Sequence, residues 1–377
     1  MESKNKVCVR CIMDTTAPDI EFDEQGVCSY CRDYEKKAKK YLNTRKKRED
    51  NLNRIVSKIK KDGEKKKYDC VMGISGGTDS TYLALFAKKL GLRPLCVHVD
   101  NGWNSRESID NMRNIVEKLN LDLYNYVADW EEFKDLQLAY LKASVLNIEV
   151  PTDHAIRSVL YRVANERHIG YVLLGSNMAT EAVLPRKWGY NYNDLANMKD
   201  IHRRFGKVKI KKFPYLGLLR EIYFQVIKNI QLVALLNYTP YNKKEAQKLI
   251  AQELDWKDYG NKHFESVFTR FYQGYILLQK FGVEQRKADL SSLICSGQLT
   301  REEAIKEMDK PIYEEELLKT DKEYVLRKLG LTESEFEEIM NTPPQSHYNF
   351  RSTDRLMRSL RSIYRIFKKS YGIISPE

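Results

Sequence analysis

Two groups of residues in this 377-residue chain have the types and spacing that chemistry requires. The first is Ser75-Gly76-Gly77-Thr78-Asp79-Ser80. Glycines turn with positive φ and let the backbone approach a ligand closely. Where such a loop leaves a strand and opens a helix, its N–H groups and the helix terminus bind anionic oxygens. Ser75 and Ser80 add hydroxyls, and Asp79 is placed to hold Mg²⁺ beside phosphates. No GKS or GKT follows, so this is not a Walker A loop. The second group is Cys8-x2-Cys11 and, after sixteen intervening residues, Cys28-x2-Cys31. Four thiolates at this spacing fit a closed, structural Zn²⁺ site, and an iron–sulfur cluster shares the same ligand set.

The surrounding pattern supplies the elements that must position these groups. YDCVMGI reads as a buried strand leading into the loop, and TYLALFAKKL as the helix behind it. RPLCVHVD, LDLYNYVAD and YVLLGS read as three further strands, with SIDNMRNIVEKLN and HAIRSVLYRVANERH as helices between them. This alternation predicts an α/β fold, a doubly wound parallel sheet of Rossmann-like type. After about Lys212 the strand signal fades. LLREIYFQVIKNIQLVALLN and the segments that follow read as helices, and Thr300 with Glu303 forms a capping-box pattern. The expected organisation is a zinc-binding head over 1–34, a basic, solvated helical connector over 35–67, the sheet domain over 68–215 and a mostly helical domain over 216–377.

The loop in its strand-to-helix context resembles the PP-loop of the ATP pyrophosphatase superfamily, which cleaves ATP between its α and β phosphates. That resemblance implies ATP at the carboxyl ends of the strands. It makes Gly73, Ser75, Gly76, Gly77, Thr78, Asp79 and Ser80 cofactor-binding candidates, with His98, Asp100 and Asn101 beside adenine and ribose. Before the next helix, Thr152 or Asp153 is a simple N-cap, or Asp153 and His154 face metal or phosphate with Arg157 one turn in. Gly175 and Ser176 follow the fourth strand, and Glu181 is the second Mg²⁺ ligand expected there. Asp79, Ser80, His154, Arg157 and Glu181 are the catalytic candidates.

The Cys head, GISGGTDSTYLA, VHVDNGWNS, PTDHAI, LLGSNMATE and the stretch from Gly260 to about residue 304 together resemble the N-acetyl sugar amidotransferases, the WbpG- and PseA-like enzymes of bacterial surface-glycan synthesis. The resemblance runs from about residue 7 to about residue 310. It implies that ATP adenylates an acetamido oxygen and that ammonia then displaces AMP to give an acetamidino sugar. Lys262, His263, Glu265, Arg270, Tyr272, Lys280 and Arg286 become candidates for holding a sugar nucleotide or sugar acid, with an ordinary solvated helix face as the bland reading. Position 2 is Glu and no GxCxG string exists, so the chain is not expected to hydrolyse glutamine itself. The family implies a separate HisH-like glutaminase with a HisF-like partner as the ammonia source.

Charge and composition bound the alternatives. The net charge is +12, of which residues 32–67 carry +10 and residues 351–369 carry +6, leaving −4 on the rest. A broad basic face for nucleic acid is therefore not expected, which counts against the rival reading as a PP-loop tRNA-thiolation enzyme. So does cysteine placement, since only Cys70 and Cys96 lie in the sheet domain, both in strands. The tail carries Leu356, Leu360, Ile363 and Phe367 on one helical stripe amid Arg and Lys, which can pack, dock on a partner or lie on an anionic membrane surface. With no apolar run long enough to cross a bilayer and no secretory leader pattern, the chain is expected in the cytoplasm, with a peripheral position at the inner membrane face open to the tail.

Overall fold

In a computed structural model that describes residues 5–41, 45–260 and 262–354, the apolar runs become five parallel strands. The chain runs α1 (Ser29–Tyr41), α2 (Arg45–Gly63), β1 (Cys70–Gly73), α3 (Thr78–Lys89), β2 (Pro94–Asp100), α4 (Arg106–Leu119), β3 (Asp122–Val127), α5 (Trp130–Lys142), α6 (Val150–Glu166) and β4 (Tyr171–Leu173). It continues through α7 (Met178–Glu181), α8 (Leu195–Phe205), α9 (Leu218–Ile222), β5 (Gln231–Val233) and α10 (Lys243–Leu254). Helices α11 (Val267–Phe271), α12 (Leu277–Phe281), α13 (Gln285–Cys295), α14 (Arg301–Met308), α15 (Glu315–Leu329) and α16 (Glu333–Asn341) complete it. The expected capping box of Thr300 and Glu303 opens α14.

The strand order is β3-β2-β1-β4-β5. Successive side chains of a strand point to opposite faces, and each face here has its own core. Cys70, Met72 and Cys96 pack under α3, α4 and α10, whereas Val71, Leu95 and Val97 pack against Val159, Leu160 and Val163 of α6. The α/β class and the mostly helical C-terminal region are as expected.

Two expectations are corrected. The fifth strand lies at Gln231–Val233, paired with β4 through Tyr171 and Gln231, beyond the boundary drawn at residue 215. The segment expected as one long helix instead breaks at Asn229, whose φ is +50, and turns back into the sheet. The basic connector is also not a free solvated spacer. Val56 and Ile59 of α2 are buried in the core beneath the sheet, while its lysines stay outside. The basic amphipathic tail stripe (Leu356, Leu360, Ile363 and Phe367) lies outside the described residues. Among the described residues, no helix is long and apolar enough to cross a membrane.

Candidate functional site

The sheet's order reverses between β1 and β4, and in open α/β sheets the crevice beyond such a reversal binds ligands. The loop after β1 and the loop after β4 both end there. Gly76 takes φ +76, and a Cβ on it would lie 2.4 Å from the Ser108 carbonyl oxygen of α4. Only glycine fits this approach. Asn111 and the Trp256 indole donate to the Gly76 carbonyl at 3.3 and 2.9 Å, fixing the loop from outside. Gly175 also passes close, though less so, its would-be Cβ 3.3 Å from the Ser80 backbone nitrogen. Helix α3 begins at Thr78, and its N-cap residue Gly77 supplies no capping side chain, so the positive end of the helix faces the cleft.

The cleft in front of this terminus is lined by Ser75, Gly77, Thr78, Asp79, Ser80, Gly175 and Glu181, and on its far wall by Tyr259, Lys262, His263 and Glu265. The far wall comes from a segment nearly two hundred residues downstream. The Tyr259 hydroxyl accepts the Thr78 N–H at 3.2 Å, and the Ser75 hydroxyl donates to Glu265 Oε1 at 3.4 Å. Lys262 Nζ sits 3.1 Å from Glu181 and 3.7 Å from Asp289. Burial works against its ammonium, but Glu181, Asp289 and Asp79 outweigh that and hold its pKa above the ordinary lysine value. Burial raises the Asp79 pKa, Lys262 opposes the rise, and the Tyr241 hydroxyl donates to Asp79 Oδ1.

Asp79 and Glu181 line the same cleft as the anion cradle, the donor set that Mg²⁺ takes when substrate phosphates complete its shell. The four head cysteines also fit one ion. All four are fully buried, and their sulfurs lie within 4.8 Å of one another. The Cys8–Cys31 and Cys11–Cys28 separations are 3.9 and 3.7 Å. A tetrahedral ion at about 2.3 Å from each sulfur sets them about 3.8 Å apart, so the pocket suits a single Zn²⁺. Backbone N–H groups of Arg10 and Cys28 approach Cys8 Sγ at 3.4 and 3.3 Å, the outer-shell support a thiolate needs. The head is not an appendage. Arg301 donates to the Cys8 and Cys11 carbonyls at 3.3 and 3.1 Å, and Cys295 of α13 lies 3.7 Å from Cys31.

Several sequence candidates serve the scaffold instead of the cleft. His154 is fully buried, its Nδ1 bonded to the Tyr192 carbonyl at 2.7 Å and its Nε2 accepting the Leu216 N–H at 2.9 Å. Burial lowers its pKa, so it is a neutral tether without a free nitrogen for metal or phosphate. Arg157 pairs with Glu221 at 3.1 Å, away from the phosphate loop. Helix α6 starts at Val150 with Glu149 as its N-cap residue, so neither Thr152 nor Asp153 caps it. His98 links the Ile74 carbonyl to Asn104, both at 3.0 Å, and Asp100 and Asn101 accept the N–H groups of Gly102 and Trp103. These three hold the loop after β2. Gly73 packs against Leu160, and Ser176 is exposed outside the cleft lining.

The substrate candidates divide sharply. Lys262, His263 and Glu265 face the cleft. Arg270 forms a two-pronged pair with Asp321 at 2.6 and 2.8 Å, and Tyr272 donates to the Leu146 carbonyl at 2.6 Å. Lys280 caps the end of α16 through the Ile339, Met340 and Thr342 carbonyls, and Arg286 binds Glu284 and the Lys310 carbonyl. All four are structural. Tyr241, Tyr259 and Asp289 were not foreseen, since nothing local in TPYNKK, WKDYG or KADLSS marks them.

Behind His263 stand two part-buried carboxyls. Burial pushes Glu149 up to about 7, with Thr269 donating to it at 2.8 Å, and Asp153 up to about 6. A carboxyl raised from 4.5 stabilises the fold below its unfolded pKa, relative to higher pH, and that stabilisation is lost as pH rises through about 7. Glu149→Gln is therefore expected to melt up to about 3 kcal/mol more stably than the parent at pH 8, with the advantage gone at pH 4. Calorimetry across that range checks the sign.

Residues 48–215 match the family model described as NAD synthase, and residues 265–364 match the one described as LPS biosynthesis protein WbpG-like, C-terminal domain. The uncharacterized protein MJ1599 of Methanocaldococcus jannaschii is 26% identical over 330 residues, which is 83% of this chain and 97% of that protein. Among solved structures, NMN synthetase from Francisella tularensis aligns at 16% identity over 57% of this chain and 98% of its own, with a TM-score of 0.29. The NH3-dependent NAD synthetase from Campylobacter jejuni aligns at 15% identity over 71% and 99%, with a TM-score of 0.30.

Proposed function

From a chain that joins a PP-loop domain of the NAD synthase type to a WbpG-like C-terminal domain, we propose an ATP-dependent amidotransferase of bacterial surface-glycan synthesis. It adenylates the acetamido oxygen of an N-acetyl sugar, then admits ammonia to form the acetamidino sugar, releasing AMP and pyrophosphate. The observation that carries this reading is the N-terminus of α3, to which its N-cap Gly77 adds no side chain, opening into a cleft whose opposite wall belongs to the segment leading into the WbpG-like domain.

The geometry supports a division of labour. The α3 N–H groups and the Ser75 and Ser80 hydroxyls cradle the departing pyrophosphate. Lys262 supplies a fixed positive charge from the far wall. Asp79 and Glu181 are the residues that would hold Mg²⁺, which neutralises phosphate charge when bound. The enzyme's contribution is mostly positioning and charge stabilisation away from water, because no covalent nucleophile is required. No cysteine is among the residues described as lining the cleft, and a separate HisH-like glutaminase with a HisF-like partner is the proposed source of ammonia. The same point counts against sulfur transfer, as Cys70 and Cys96 are fully buried within strands.

Purified protein is to be incubated with ATP, Mg²⁺, concentrated ammonium salt and a panel of diacetamido sugar nucleotides, following AMP and intact sugar masses. The expected result is AMP together with a sugar whose oxygen has been replaced by NH. AMP formation only with tRNA and a sulfur donor, with every sugar unchanged, would rule the reading out.

A further inference from the structure

His263 has a backbone geometry that needs a reason. Its φ is +66, a left-handed conformation uncommon for a residue with a side chain. Such residues persist where surrounding structure holds them, and they concentrate at functional sites. Here the conformation puts His263 on the cleft wall facing the phosphate loop. Its Nδ1 lies 3.9 Å from Glu265 Oε1, an ion-pair distance that is too long for a hydrogen bond.

The charged groups around His263 come from three segments. Glu265 and Lys262 are its own neighbours, Asp289 reaches in from α13, and Glu149 and Asp153 lie at the start of α6. Four carboxyls thus face one imidazole and one ammonium. Two carboxylate oxygens, Glu149 Oε1 and Glu265 Oε2, are buried without a hydrogen-bond partner. A buried carboxylate oxygen without a donor carries a desolvation cost that a bound cation relieves. Burial lowers the His263 pKa, but Glu265, with Asp289, outweighs it and holds the value above the ordinary one.

Resting on the amidotransferase reading above, we propose that His263 is the base that converts ammonium to ammonia at the reacting carbon, with Glu265, Glu149 and Asp153 drawing the cation to it. An N–H bond of ammonium breaks and its proton passes to the neutral imidazole. The freed nitrogen lone pair attacks the imidate carbon. After proton transfer from the new nitrogen to the sugar nitrogen, the carbon–oxygen bond to AMP breaks with its electron pair, leaving a cationic amidinium. The imidazolium returns its proton to solvent. Ammonia that picks up a proton on its way from the partner glutaminase is inert as a nucleophile, so a base at this point accelerates the step.

His263→Asn suits the test because asparagine tolerates positive φ. Turnover is to be compared with ammonium and with hydroxylamine, which is already unprotonated at neutral pH and needs no base. The expected result is a rise of about 10²-fold in the hydroxylamine-to-ammonium ratio of kcat/KM. The variant's ratio should also lose the pH inflection that His263 imposes on the parent's. An unchanged ratio overturns the role of His263 while leaving the amidotransferase reading intact. A wild type that forms no amidine or amidoxime with either nucleophile overturns that reading and this assignment together.

Discussion

Asp79→Asn is expected to lower AMP formation by about 10²–10³-fold, the scale of losing one fixed electrostatic contact to a reacting group in a shielded site. The substitution keeps the shape of the side chain and an oxygen to accept the Tyr241 hydroxyl, and it removes only the charge. Because burial already raises the Asp79 pKa, its ionised form is held against a desolvation penalty. Removing that charge should leave thermal stability within about 1 kcal/mol of the parent, or improve it. Loss of turnover with retained melting temperature is the signature of a group kept for chemistry. Full turnover in the variant would instead make Asp79 part of the scaffold that holds Tyr241 beside α3.

The second large effect concerns the head. Stripping its metal with a chelator is expected to unfold residues 5–34 and to weaken ATP binding at the distant cleft. Isolated zinc-finger peptides gain about 10–16 kcal/mol from their ion. That is comparable to the about 5–15 kcal/mol that stabilises a whole domain, so a head of this size is not expected to survive its loss. The route to the cleft is α13. This helix touches the head through Cys295 and through Ser291, which accepts the Ile12 N–H at 3.4 Å. The same helix carries Asp289, one partner of Lys262, and Ser292, which accepts the Val183 N–H at 3.0 Å just after Glu181. Calorimetry with and without chelator reads the first effect, and ATP titration of the metal-free protein reads the second. Unchanged ATP affinity in protein that has lost its metal would show that the head and the cleft are energetically separate.

What the sequence reveals and what it hides divides by distance along the chain. SGGTDS between an apolar run and a helical run declares an anion cradle because strand, loop and helix are contiguous. The paired cysteines declare their site for the same reason. β5 is hidden because its three residues sit inside LLREIYFQVIKNIQLVALLN, where apolar spacing suits a helix throughout and only the left-handed turn at Asn229 breaks it. His154 looks like a ligand because it stands in the first turns of a helix. The Tyr192 carbonyl and Leu216 N–H that satisfy it come from segments 38 and 62 residues away. The cluster from Lys262 to Arg286 reads as one polar face, yet the helix start near Ser266 separates Lys262, His263 and Glu265 at the cleft from Arg270, Lys280 and Arg286 in scaffold pairs.

The two walls of the cleft also bear on the order in which the molecule assembles. Ser75 and Glu265 are 190 positions apart, and Cys31 and Cys295 are 264 apart. Contacts between such remote partners form late, after local helices and the early strands have condensed. During synthesis the phosphate loop therefore emerges and folds long before Tyr259 arrives to meet the Thr78 N–H or Lys262 to balance Glu181. A nascent chain can hold the loop but not the opposing charge. The two-walled cleft therefore exists only once the chain has been made through Glu265.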